Sequence, residues 1–210
     1  MNTPPLLELV KKFVSQLFTN ADTSSLLYHT IRHTEQVVKH AQEIADHYKL
    51  STHSNFVVLS AAWFHDTGML SGDITGHEER SVKIMEDFFT DKNIDTTIVS
   101  TIAQIILATK TTVVPVTQLE KILCDADTWY AGTTDFHRLD TLLWSEYELK
   151  TNHPVKNQIS KSLQFLQSHQ FYTDYCIRQL SEGKKKNIEL LEAFFLGESA
   201  TVTGKKEYNN

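Results

Sequence analysis

The sequence predicts an all-α fold, and three observations carry the prediction. Apolar side chains recur at intervals of three and four through most of the chain. No stretch alternates apolar and polar residues in the manner of a half-buried strand. The most apolar segment, 52–65, is apolar nearly all round, as a helix is when other helices surround it. The 210 residues are 40% hydrophobic and 22% charged, an ordinary composition for one globular domain with short appendages. The pattern divides into a packing helix within 1–22, a main helical domain over 23–196, and an aperiodic tail over 197–210 that is expected to be disordered.

Composition also excludes classes. The formal net charge is −6 and no basic stripe runs through the chain, which argues against nucleic acid as a partner. The short run Lys184-Lys185-Lys186 reads as a solvated helix start. Cys124 and Cys176 are far apart and neither belongs to a Cys-x-x-Cys, so reduced thiols are expected and a zinc ribbon or redox motif is not. The first residues turn charged too early for a secretory signal. No apolar run approaches the roughly 18 residues of a membrane span. The expectation is a soluble cytoplasmic protein without a membrane partner.

The elements follow in order. Residues 5–19 place Leu6, Val10, Phe13, Val14 and Leu17 on one helical face, started by Pro4-Pro5. Residues 20–24 form a turn rich in capping residues. Tyr28–Tyr48 reads as one long helix with the stripe Val37, Val38, Ala41, Ile44 and Ala45. His29 and His33, four apart, then share a face, and His40 and His47 fall on the surface. The core helix 52–65 ends in His65-Asp66, and Thr67-Gly68 breaks it. After a loop over 70–75, the next helix opens with His77, Glu78 and Glu79, where the two glutamates suit the helix dipole. A further apolar helix, 94–109, ends at Lys110.

In 118–132, Ile122, Leu123 and Ala126 are the buried positions. Asp125 and Asp127 lie two residues apart and so diverge by about 200°, so only one faces a given metal. Thr134–Lys150 is amphipathic, with Phe136, Leu139, Leu142, Leu143, Trp144 and Tyr147. Asn152-His153-Pro154 turns the chain into a helix over 155–169, and two helical stretches, 172–180 and 185–195, follow on either side of Gly183.

The chemistry concentrates at SAAWFHDTGML, Ser60–Leu70. Neighbouring residues on a helix point about 100° apart. His65 and Asp66 can therefore share one metal only over the helix end, where Gly68 permits a bend. A buried His beside a buried Asp needs compensation, from a divalent cation or from ordinary hydrogen bonds. Three separated helices thus supply His33, His65-Asp66 and a carboxylate of the 125–127 segment. Two imidazoles and two carboxylates without a thiolate suit manganese, iron, zinc, cobalt, nickel or magnesium. Four protein ligands on a six-coordinate ion leave positions for water and substrate.

The pieces HTEQVVKHA, AAWFHDTGM and ILCDADTWYAG together resemble the HD superfamily of metal-dependent phosphohydrolases, whose signature is His … His-Asp … Asp, over about Tyr28 to Gly132. The resemblance implies a helical bundle of about eight to ten helices. It implies metal ligation by His33, His65, Asp66 and Asp127, with Asp125 in support. YHTIRHTEQVV is similar to the Tyr-His-x-x-x-His segment of cyclic-nucleotide phosphodiesterases in that superfamily, which implies His29 as general acid. GHEERSV, IILATK, LCDAD and QFLQSHQFYT…EGKKKNIELL resemble a bacterial HD group found alone or joined to nucleotide cyclase domains, through about Leu191. His77 resembles the extra histidine that supports a second metal in some members.

Met69 and Leu70 stand where alarmone hydrolases and 5′-nucleotidases of the superfamily carry acidic residues, which argues against those specificities. Asp66, or alternatively Glu78, is then left to activate water. Lys110 and Glu78 are the candidate substrate contacts, Lys110 reading equally well as a solvated helix end. The implied activity is hydrolysis of a small-molecule phosphoester, a nucleotide or cyclic nucleotide, by a metal-bound hydroxide with His29 protonating the leaving group. The alternatives are a non-catalytic nucleotide- or metal-binding regulatory module, and a di-iron oxygenase in which His77 and His29 become ligands. Trp129, Tyr130 and Trp144 are left to a base pocket, a homodimer contact or core packing.

Overall fold

The computed structural model describes residues 3–204. Its elements are α1 (Thr3–Asn20), α2 (Ile31–His47), α3 (Thr52–Phe64), α4 (His77–Phe89), α5 (Thr96–Leu107), α6 (Gln118–Asp127), α7 (Phe136–Thr151), α8 (Gln158–Ser168) and α9 (Asp174–Gly204), with short 3₁₀ turns at Thr67–Leu70 and Trp129–Gly132. Among the described residues there is no strand, as the absence of alternating patterns predicts.

α3 is the axis of the molecule. Every residue from Phe56 to Phe64 is buried, and α1, α2, α5 and α6 pack around it. Its large apolar side chains, Phe56, Val57, Val58, Leu59 and Phe64, each contribute roughly 1.5–3 kcal/mol of burial free energy. α1 joins the same core: Val10 and Val14 are fully buried, and Phe13 sets its ring 6.1 Å from that of Phe64 and 4.7 Å from that of Phe88. Helix starts are fixed by side-chain caps. Ser51 accepts from the Ser54 N–H at 3.1 Å, and Thr117 and Glu120 form a capping box on α6.

Four expectations need correction. α2 begins at Ile31 rather than Tyr28, because Thr30 caps it and the three preceding N–H groups are taken by Glu146. His29 therefore lies ahead of the helix that carries His33. Gly183 does not separate two helices: α9 runs through it, and an added Cβ there would fall 2.0 Å from the carbonyl oxygen of Gly132. Its missing side chain serves close packing, not a break. The helix also continues through residues 197–204, where an irregular tail was expected, since extending an established helix costs little per residue. The rest of that expected tail, 205–210, lies outside the described residues. Finally, His40 is half-buried, its ring stacked 4.1 Å from that of Trp129 and within 6° of parallel.

Candidate metal centre

His65 ends α3, and Asp66 leaves helical geometry at φ −107°, ψ 6°. That departure swings the Asp66 side chain to the side of its neighbour, and a 3₁₀ turn follows. Gly68 makes the bend possible by close approach rather than by an unusual backbone angle. A Cβ there would fall 2.0 Å from the carbonyl oxygen of His77 and 2.8 Å from the Ser81 nitrogen. The Gly68 N–H donates to Ser81 Oγ at 2.8 Å and its carbonyl accepts from Arg80 Nε at 3.1 Å, so the first turns of α4 clamp the loop.

α2, the α3 end and α6 then converge. His33 Nε2 lies 3.2 Å from Asp127 Oδ1 and 3.3 Å from Asp66 Oδ2. His65 Nε2 lies 3.1 Å from Asp66 Oδ2 and 3.5 Å from Asp127 Oδ1. One donor atom from each of the four lies within 4.8 Å of all the others. His65 Nδ1 is fixed as the N–H by the Ala62 carbonyl at 2.8 Å, which leaves a lone pair on Nε2. That Nε2 and Asp66 Oδ2 are buried and have no hydrogen-bond partner. Two orphaned acceptor atoms aimed at one point, beside two more donors of the same kind, fit a divalent cation.

The electrostatics agree. Burial opposes the charged form of the His65 imidazole, yet Asp66 and Asp127 outweigh it and hold its pKa well above the ordinary value. His33 is raised in the same way, against burial, by Asp127 and Asp66. Burial works equally against Asp66, but His65, His29 and His33 hold its carboxyl well below the usual range, and the two ligand histidines lower Asp127 likewise. Asp125 points elsewhere. Its oxygens accept from the N–H groups of Tyr172 and Thr173, both at 2.8 Å, and from Thr173 Oγ at 2.6 Å, tying α6 to the start of α9. Of the two aspartates, Asp127 joins the cluster.

Two further histidines flank it. His77 Nδ1 donates to the Ile74 carbonyl at 2.8 Å and turns Nε2 toward Asp66 Oδ1, 3.5 Å away. Asp66 thus faces His33 and His65 with one oxygen and His77 with the other. Glu78 sits beside His77, with Oε2 3.5 Å from its Nδ1. His29 lies with its ring centroid 5.9 Å from that of His33 and 6.2 Å from that of His77. Its Nδ1 is 2.5 Å from Glu146 Oε1. The other Glu146 oxygen accepts the N–H groups of Leu27, Tyr28 and His29 at 2.9, 2.7 and 3.0 Å.

Sequence reasoning overlooked Glu146. The available signal was a carboxylate at helical spacing from Leu139, Leu142 and Leu143, on the apolar stripe of α7.

The family model described as HD domain matches residues 30–131, a span that holds all four converging ligands. Over residues 30–131 the chain matches the HD domain family, which supports a metal-dependent phosphohydrolase family for it. The solved structure of a predicted HD superfamily hydrolase from an uncultured Thermotogales bacterium shares the fold, with a TM-score of 0.59 at 21% identity over 94% of this chain and 99% of that one. No curated protein matches the chain.

Around the HD ligand set the remaining sequence candidates sort themselves. Lys110 does not turn into the cluster; its ammonium pairs with the exposed Glu79. Tyr28, Trp129 and Tyr130 line a cleft of about 240 Å³ that begins at His33 and Asp127. The Asp127 side chain is 23% exposed against 6% for Asp66, so the ligand set opens onto that cleft at Asp127. Trp144 serves packing instead, its Nε1–H donating to Ser162 Oγ at 2.7 Å between α7 and α8. No described helix is long and apolar enough to cross a membrane.

Proposed function

We propose that this HD domain hydrolyses a small-molecule phosphoester, of the nucleotide or cyclic-nucleotide class, with a divalent metal held by His33, His65, Asp66 and Asp127. The observation that carries the reading is the pair of buried, unpartnered atoms, His65 Nε2 and Asp66 Oδ2, converging with His33 and Asp127. When bound, a divalent ion there supplies Lewis acidity and lowers the pKa of a coordinated water. The nucleotide class comes from the cyclic-nucleotide-phosphodiesterase-like segment around His29 and His33. The aromatic cleft beside Asp127 is compatible with it.

The chain's own groups do the rest. Burial raises the Glu146 carboxyl, but its hydrogen bonds to His29 and the neighbouring backbone outweigh that and keep it ionised. An ionised Glu146 accepts from His29 Nδ1 and fixes the ring, which leaves Nε2 as the nitrogen that exchanges a proton with the leaving oxygen. His77, facing Asp66 Oδ1, would support a second ion. Lys110 drops out as a phosphate contact.

The test is metal content by elemental analysis, followed by hydrolysis of a phosphodiester reporter with manganese or cobalt. Asp66→Ala should lose both metal and turnover. His29→Ala should keep metal and lose turnover. Bound metal with no turnover on any phosphoester would sink the reading in favour of a regulatory module, and two bound irons per chain would favour an oxygenase.

A further inference from the structure

We propose that Lys150 is the cation that contacts the phosphoryl oxygens of the substrate, an inference that rests on the phosphohydrolase reading above. Lys150 lies four residues beyond Glu146 and so on the same face of α7, the helix that holds His29 in place. Its Nζ donates to the Met69 carbonyl at 3.0 Å, inside the 3₁₀ turn whose Met69 N–H is itself bonded to the Asp66 carbonyl at 2.9 Å. An ammonium has three N–H donors, and this bond accounts for one.

The other nearby cations are committed. Lys110 is paired with Glu79, and the Arg80 guanidinium is held across the loop by bonds from all three of its nitrogens to the carbonyls of Gly68, Asp73 and Thr75. Among the described residues Lys150 has no carboxylate within ion-pairing distance, although its side chain is half-buried. Its charge faces only the neutral Met69 carbonyl, which leaves the ammonium free to take an anion.

The surroundings supply room for that anion. Lys150 lines a recess of about 360 Å³ together with Ile74, Thr75 and Tyr147. Ile74 is the residue whose carbonyl orients His77, so the recess borders the loop that positions that histidine. Asp73 also lines it, but as an exposed residue. The site gathers three carboxylates, Asp66, Asp127 and Glu146, more negative charge than one divalent ion balances. A phosphoester anion approaching that field gains from a flexible ammonium that can swing from a neutral carbonyl to a phosphoryl oxygen.

The experiment is calorimetric titration of the full chain, loaded with manganese, with inorganic phosphate. Wild type is compared with Lys150→Met, Lys150→Arg and the distant surface variant Lys83→Met. Lys150→Met should weaken phosphate binding about tenfold or more and flatten its salt dependence at unchanged metal content. Lys150→Arg should recover part of the loss, and Lys83→Met should match wild type. A second measurement needs no variant: amine acetylation of wild type, mapped by mass spectrometry, should be slowed by phosphate at Lys150 and not at Lys83. Phosphate binding by Lys150→Met as tight as wild type, or acetylation of Lys150 indifferent to phosphate, would overturn the inference and leave the phosphohydrolase reading standing. A wild-type protein that binds no phosphate would overturn both.

Discussion

His33 and His65 are held above the ordinary imidazole pKa by the same carboxylates that would share a metal with them, so protons and metal compete for one site. The signs can be worked out. In the metal-free protein the raised imidazoles contribute stability that is fully present below their unfolded value of about 6.5 and is lost as pH rises through the folded values. The depressed Asp66 and Asp127 contribute stability above about pH 4 that is lost as pH falls. Metal binding must displace the imidazole protons, so affinity falls as pH drops through the raised values. The melting-temperature gap between manganese-loaded and chelator-treated protein should therefore widen from pH 6 to pH 8, and a gap that narrows would contradict the assignment.

Glu146 gives a second test at this scale. Glu146→Gln should keep metal and stability near wild type but reduce turnover by about 100-fold or more, because the neutral amide is a weaker acceptor for His29 Nδ1 and no longer fixes the ring for proton transfer. Glu146→Ala should in addition cost about 3 kcal/mol, since three backbone N–H groups lose their acceptor. His65-Asp66 was legible because two such residues follow a run of apolar ones. Glu146 was not, because its partners lie 117–119 residues away and no local spacing encodes that meeting.

At the scale of the element, α3 was readable from end to end because a helix buried on all sides leaves an uninterrupted apolar run. Its neighbours were readable to within a few residues wherever a Ser, Thr or Asp cap marks the start. The start of α2 was misplaced because the N–H groups of Leu27, Tyr28 and His29, just ahead of it, are taken by a side chain from a distant helix. Gly183 misled because a glycine that ends a helix and a glycine that lets another backbone approach look alike in sequence.

The two explanations of Gly183 make opposite predictions for Gly183→Ala. By helix propensity alone the substitution would stabilise α9 by about 1 kcal/mol. With the Gly132 carbonyl 2.0 Å from the new Cβ, neither backbone can yield without moving α9 off the Trp129–Gly132 turn. The expected outcome of urea unfolding is a loss of about 2 kcal/mol or more. Because that turn follows directly on Asp127, metal affinity should weaken with it.

For the molecule as a whole, every converging metal ligand lies between His33 and Asp127, inside the segment that matches the HD family. That segment was the legible part of the site, because metal ligands are few in type and sit in recognisable local contexts. The remainder is supplied from beyond it. α7 brings Glu146 to His29, Asn187 of α9 donates to the carbonyls of Ala131 and Thr133 at 2.9 Å each, and Asp125 pins the start of α9 to α6. Phe136, Leu166, Phe171, Cys176, Leu180 and Leu191 belong to the same hydrophobic core as α3.

A chain shortened to residues 1–132 would therefore keep every ligand and lose part of the packing that holds them. With those side chains gone and the α6 face stripped, its core falls below what offsets the conformational entropy of ordering it. The shortened chain should show reduced helicity by circular dichroism and no cooperative melt, and it should retain substoichiometric manganese after desalting, whereas the full chain retains it stoichiometrically. Stoichiometric metal on a cooperatively folded 1–132 fragment would show that the matched segment is a self-sufficient unit and that α7 to α9 only decorate it.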